Sequence, residues 1–209
     1  MIITAIERQK RRPRVNVFLD DRLALSLSLG LAAQAGLRRG DVVTAERLET
    51  LRQADERQQA RESALRLLAY RPRSEAELRS RLARRGLPLS AVENAIEHLR
   101  QQGLVDDAAF ARYWVEARQR SSPRGRYLLQ RELLAKGVAA ETAGEALAAV
   151  VDEEAARRAA AKKARSLRNL DYATFRRRLG QFLLRRGFPY ETARALVDEL
   201  WRESQRAAG

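Results

Sequence analysis

This chain of 209 residues has no cysteine, a single histidine and no long apolar run. Without cysteine there is no disulfide and no thiolate metal site, which fits a reducing cytoplasm. The one histidine, His98, falls on the helix predicted around Ile96 and Leu99 and reads as a structural or surface residue, leaving almost no zinc chemistry. No stretch approaches the roughly eighteen apolar residues that a membrane span needs. The opening residues, Met1 to Glu7, lack the basic start and apolar core of a secretory signal, so a cytoplasmic location is expected. No Gly-x-x-x-x-Gly-Lys-Ser/Thr loop occurs, which excludes nucleotide hydrolysis by that route. The pair Asp106-Asp107 would need further carboxylates to hold magnesium, and Asp107 reads instead as a helix cap. No nucleophile, base and acid fall into a catalytic pattern. The expectation is a protein that is not an enzyme, with no metal and no cofactor.

What the chain does have is positive charge. Formal net charge is +14, from 41 Lys and Arg against 27 Asp and Glu, with a sequence pI near 11.2. Residues 153–209 alone carry 14 basic against 7 acidic side chains, whereas residues 103–152 balance at 7 and 7. Such an excess points to a polyanionic partner, bound by phosphate neutralisation with counterion release. It also favours a soluble monomer.

The second feature is a phrase spoken three times. Leu78, Leu82, Arg85 and Gly86 recur as Leu129, Leu133, Lys136 and Gly137, and again as Leu179, Leu183, Arg186 and Gly187. Two Leu four residues apart share a helix face, a cation suits a helix C-terminus, and glycine accepts the left-handed turn that ends it. Beyond each glycine an apolar residue follows at once, and Ile96, Leu147 and Val197 then occupy one position of a second helix, with Leu99, Val150 and Leu200 one turn on. A period near fifty residues means stacked helical units. The expected architecture is mainly all-α. Three tandem three-helix repeats at 59–104, 105–151 and 152–209 follow a β-rich extension and linker helix at 1–58.

In the extension, Ile2, Thr4 and Ile6, then Val15, Val17 and Leu19, then Leu23, Leu25 and Leu27 alternate as strands. The basic run Arg8 to Arg14 separates the first two, and Asp20-Asp21 reads as a tight turn. Leu29 to Ala35 reads as a short helix ending at Gly36. A helix from Thr44 runs through a charged stretch with few large apolar residues, expected to be an exposed connector. Ser74 with Glu77, and Ser90 with Glu93, read as capping boxes. Ser122-Pro123 reads as the start of a helix. Phe110, Tyr113 and Trp114 could stack bases, but at helical spacing they read as an inward cluster.

Three stretches carry a resemblance: Arg73-Ser74-Glu75-x-Glu77-Leu78-x-x-Arg81-Leu82-x-x-Arg85-Gly86; Leu99-x-x-x-Gly103-Leu104-Val105-Asp106-Asp107-x-x-Phe110-Ala111; and Gly125-x-x-x-Leu129-x-x-Glu132-Leu133-x-x-Lys136-Gly137-Val138. They resemble the bacterial RecX family of recombination regulators, the third unit departing most from the common pattern. The resemblance implies a curved body of three three-helix repeats. It also implies binding to the RecA recombinase and its filament on single-stranded DNA, with restraint of strand exchange, ATP hydrolysis and co-protease activity in DNA repair and the SOS response. The basic clusters are the expected contacts: Arg79, Arg81, Arg84 and Arg85; Arg118, Arg120, Arg124, Arg126 and Lys136; Arg176, Arg177, Arg178, Arg185 and Arg186. The rival expectation is a stand-alone basic DNA-binding protein that acts without RecA.

Overall fold

The computed structural model describes residues 1–206, and among them three strands and ten helices. The chain divides into two compact units. One is Met1–Arg71 with Leu78–Leu104; the other is Pro72–Glu77 with the chain from Val105 on.

The first unit opens with an antiparallel sheet of β1 (Ile3–Arg8), β2 (Arg14–Leu19) and β3 (Arg22–Ser28), in that order. Asp20 and Asp21 have φ of 46° and 64°, the two left-handed residues of a tight hairpin turn. In β2 the alternation is as expected, with Val15, Val17 and Leu19 all buried. In β1 the phase differs. Ile2 is exposed and Ile3 is buried, and a register shift between Ile3 and Ala5 then brings Ile6 onto the core side. One extra residue in a strand reverses which face the following side chains take, so a simple period-two reading places Ile2 inside wrongly. A second irregularity, between Val17 and Phe18, accompanies the exposure of Leu23 opposite, while Leu27 is buried.

Helix α1 (Leu29–Gln34) is capped by the Ser28 hydroxyl and ends before Gly36, whose φ is 65°. Helix α2 (Ala45–Leu68) starts at its Thr44 cap and runs unbroken for 24 residues, so position 58 lies inside it. It is more than an exposed connector. Asp55 is only 2% exposed; it accepts hydrogen bonds from the Arg14 guanidinium (2.7 Å), the Ser28 amide (2.7 Å) and the Gln59 amide group (2.6 Å). A buried carboxylate needs such company to remain charged. Further along, Ala60 meets Ala91 and Ala95 of α4 (Leu89–Gln101). Small side chains let the two helices approach closely, which is why the stretch contains few large apolar residues. Helix α3 (Glu75–Ala83) completes the first three-helix set and buries Leu78 and Leu82 fully.

The second unit holds two further sets: α5 (Asp107–Ser121), α6 (Arg126–Ala135) and α7 (Ala140–Leu147), then α8 (Asp152–Arg165), α9 (Tyr172–Arg185) and α10 (Tyr190–Arg206). Each has its own core, built on Phe110, Leu129, Leu133 and Leu147 in one and on Phe175, Leu179, Leu183 and Val197 in the other. Leu129, Leu133, Leu179 and Leu183 are fully buried, like their counterparts Leu78 and Leu82. Gly86, Gly137 and Gly187 have φ of 76°, 79° and 82°, so the threefold phrase is one helix-ending turn made three times.

Several helix ends differ from expectation. Helix α4 starts at Leu89 after Pro88, so Ser90 lies within its first turn and Glu93 instead pairs with Arg79. Asp106, not Asp107, caps α5 through the amides of Ala108 and Ala109. Ser122 closes α5, and α6 begins only after Gly125. Tyr113 is exposed, whereas Phe110 is buried and Trp114 half-buried. A fifteen-residue helix with one buried face has room for the i, i+4 pair Phe110 and Trp114 and turns Tyr113 outward.

Candidate interaction surface

The turn at the end of the second helix is built against the start of the preceding repeat's second helix. It occurs twice, with the same logic. Around Gly137, the Ser74 hydroxyl caps the Glu77 amide (3.1 Å) and donates to the Lys136 carbonyl (2.6 Å). The Lys136 ammonium reaches Glu77 at 3.0 Å. Around Gly187, the amide of Gly125, which stands where Ser74 stood, donates to the Arg186 carbonyl (2.9 Å). The Arg186 guanidinium donates to the Ser122 hydroxyl (2.9 Å) and the Pro123 carbonyl (3.1 Å). In both places the first residue of the next repeat's first helix, Asp107 or Asp152, accepts the first helical amide, from Glu75 at 2.9 Å or Arg126 at 2.8 Å. A carboxylate at a helix N-terminus satisfies an orphan donor and meets the positive end of the dipole.

The glycines at these joints answer to close approach as well as to the turn. A Cβ on Gly137 would lie 2.3 Å from the Cβ of Ala76, and one on Gly187 2.4 Å from that of Leu128. Gly125 has an ordinary φ of −70°, yet a Cβ there would lie 2.2 Å from the Gly187 carbonyl oxygen. At Gly125 the requirement is contact alone.

Beside the first joint lies a half-buried carboxylate. Glu132 accepts from the Trp114 indole (2.8 Å) and from Arg118 (3.0 Å), and it pairs with Arg124. The Trp114 ring meets two cations, the Arg118 guanidinium 4.4 Å from its centroid and the Lys136 ammonium at 4.2 Å. Burial, then the neighbouring charges of Arg118 and Arg186, push the Arg124 guanidinium below its usual range. Arg118 and Arg124 therefore share one acid, and Arg186 of the next repeat adds its charge beside Arg124, an electropositive spot at the edge of a charge-balanced repeat.

The expected contact residues sort into two groups by environment. Arg79, held by Glu93 at 2.5 and 2.9 Å, joins Arg118, Arg124, Lys136 and Arg186 in internal contacts. Arg81, Arg84 and Arg85 are exposed at the end of α3, Arg84 reaching only back to Ser80 on its own helix. Arg120 and Arg126 are exposed around the α5–α6 connection, and Arg176, Arg177, Arg178 and Arg185 are exposed along α9. Sequence reading missed Glu132 as the organiser of the middle cluster, although the Trp114–Arg118 spacing of four is a signal for it. It also missed Arg194 and Tyr190, exposed beside Arg176 and Arg177, because they belong to a different helix. Among the described residues no helix is long and apolar enough to cross a membrane, and no three acids or histidines gather as metal ligands.

These features define the class: a basic protein of tandem three-helix repeats with a small β-rich N-terminal extension. Profiles of one family match it throughout: the Regulatory protein RecX N-terminal domain at residues 1–44, and the first, second and third RecX three-helix domains at 60–99, 106–147 and 151–197. A Regulatory protein RecX from Clostridium botulinum (strain Eklund 17B / Type B) is 31% identical over 203 residues, covering 94% of this chain and 95% of its own. Another from Amycolatopsis mediterranei (strain U-32) is 39% identical over 147 residues, covering 69% of this chain and 84% of its own. A crystal structure of regulatory protein RecX superposes with a TM-score of 0.66 at 26% identity, covering 97% of this chain and 98% of that one. The chain belongs to the RecX family of regulatory proteins.

Proposed function

We propose that this protein regulates the RecA recombinase by binding RecA and its filament on single-stranded DNA, and that it inhibits recombinase, ATPase and co-protease activities. In this reading it acts in the cytoplasm as a monomer, without catalysis of its own and without a cofactor. The observation that carries it is family membership over the N-terminal extension and all three repeats. The charge distribution supports it: exposed arginines at the end of α3 and along α9 would be drawn to DNA and to acidic protein surfaces. Binding should then be fast and sensitive to salt. The test is RecA's ATPase rate on single-stranded DNA, titrated with this protein. Inhibition well below one molecule per RecA protomer supports action on the filament. Inhibition only when the DNA itself is saturated refutes it in favour of simple competition for DNA. That alternative, a basic DNA-binding protein acting without RecA, draws its support from the net charge of +14.

A further inference from the structure

The three repeats differ at one corresponding place, the groove between the second and third helices. In the first repeat that place is crossed by the Arg79–Glu93 ion pair, joining α3 to α4. Counting from the threefold phrase, Arg79 corresponds to Gln130 and then to Gly180, while Glu93 corresponds to Gly144 and then to Arg194. The last repeat thus lacks both halves of the bridge. It has glycine where the bridging arginine would stand and a cation where the acid would stand.

The consequence is an open groove of about 230 Å³ between α9 and α10. Its floor includes Gly180 and Leu184 over the buried Ala193; its rim carries Arg176, Arg177 and Arg194, with Tyr190 at one end. All three arginines are exposed, and no carboxylate lines the groove. Asp198, one turn beyond Arg194, accepts the Tyr172 hydroxyl at 2.7 Å. Tyr190 is 55% exposed and Leu184 44%, so an aromatic face and an apolar surface lie open beside three cations. Above Gly180 a Cβ would meet nothing within 4 Å.

From this groove we infer a binding site for one unstacked nucleotide of a single-stranded nucleic acid. Arg176, Arg177 and Arg194 hold its phosphate, and the base lies on the exposed Leu184 side chain beside Tyr190. Guanidinium groups suit phosphate oxygens, and a base face is satisfied by any flat apolar or aromatic surface, so the site is tolerant of sequence. A duplex offers its phosphates but keeps its base faces stacked, and could use the rim alone. A nucleotide unit carries anion and flat face side by side, which the three cations around one small apolar floor match. The site goes beyond the recombinase reading, since it needs no RecA.

The test uses the full chain and a fluorescent oligo(dT) without recombinase. Gly180→Leu fills the groove and keeps every charge; on an open helix position it should also raise helix stability, so loss of fold is not its failure mode. The expected result is about tenfold weaker binding of oligo(dT), the loss of roughly one base platform, with duplex binding unchanged. Arg194→Gln should weaken binding and lower the slope of log affinity against log salt by about 0.7, one phosphate contact, whereas Gly180→Leu should leave that slope as it is. Unchanged oligo(dT) affinity in Gly180→Leu would overturn the proposal, and so would an equal loss on duplex. Gly180→Leu that still binds oligo(dT) but no longer inhibits RecA would assign the groove to a protein partner and overturn it as well. Because the oligonucleotide assay contains no RecA, the nucleotide site can fail while the recombinase reading stands, and the reverse.

Discussion

Replacing Gly125 with alanine tests the joint between the second and third repeats most directly. The backbone conformation there, φ −70° and ψ 156°, suits any L-residue, so no strain of the Gly36 or Gly187 kind is involved. What the methyl group meets is main chain: the Gly187 carbonyl oxygen at 2.2 Å, its carbon at 2.5 Å and the Phe188 nitrogen at 2.8 Å. Carbon–oxygen contacts settle at about 3.3 Å or more, so the two segments must part by about 1 Å. Parting them breaks the hydrogen bond from the Gly125 amide to the Arg186 carbonyl, now 2.9 Å. Overpacking against an unyielding neighbour costs about 1–3 kcal/mol and the lost bond about 1 kcal/mol, so we expect a loss of about 2–4 kcal/mol. For a chain of this length that is a fall of roughly 5–15 °C in the melting temperature followed by circular dichroism. Gly144→Ala is the matched control. A Cβ there meets nothing within 4 Å inside α7, and the substitution should gain about 0.5–1 kcal/mol from helix propensity. If Gly125→Ala melts within about 2 °C of the parent while Gly144→Ala rises as expected, the close approach at Gly125 is wrong.

Asp55→Ala leaves the Arg14 guanidinium and the Ser28 amide without their buried acceptor, and should cost about 3–5 kcal/mol in urea unfolding; a loss near that of a surface ion pair would refute its role in holding α2 to the sheet. Hydrogen bonds from Arg52 and then Gln53 hold the Glu49 carboxyl down at about 2, against an ordinary value of 4.5. A carboxyl depressed in the folded state contributes stability above pH 4.5 and loses it as pH falls towards 2, so its carbonyl carbon resonance should titrate well below that of a free glutamate. A midpoint near 4.5 would show that the exposed pair is not formed in solution. Replacing Arg176, Arg177 and Arg178 together with glutamate should weaken binding to the RecA filament and flatten its dependence on salt; unchanged affinity at several salt concentrations would remove α9 from the interface.

Much of this protein was legible in its sequence because helix termination and helix burial are local. The spacing of Leu78 and Leu82, the cation at Arg85 and the turn at Gly86 act within one or two helical turns, so three copies of the pattern announce three copies of the structure. The turn at Asp20-Asp21 and the caps at Ser74 and Thr44 are local in the same sense. Failures fell where a partner distant in the chain decides. Asp107 looks like a cap and is one, but for Glu75 on another helix. Glu93 looks like half of a capping box and instead meets Arg79. A one-residue bulge in β1 turned Ile3 inward in place of Ile2, and nothing in an alternating pattern marks where an extra residue will be inserted.

The basic clusters divide along the same line. Composition alone determined that the chain is strongly cationic and that its last 57 residues carry half of the excess. Only tertiary structure decided which cations remain available. Arg118, Arg124, Arg186 and Lys136 are drawn into contacts around Glu132, Trp114, Ser122 and Glu77, while Arg176, Arg177 and Arg194 come together from two helices around Gly180. The sequence determined the repeats because each helix carries its own periodicity and stop signal. It could not determine these neighbourhoods, because whether a charge is spent inside or left facing solvent depends on which side chains from other helices lie within a few ångströms.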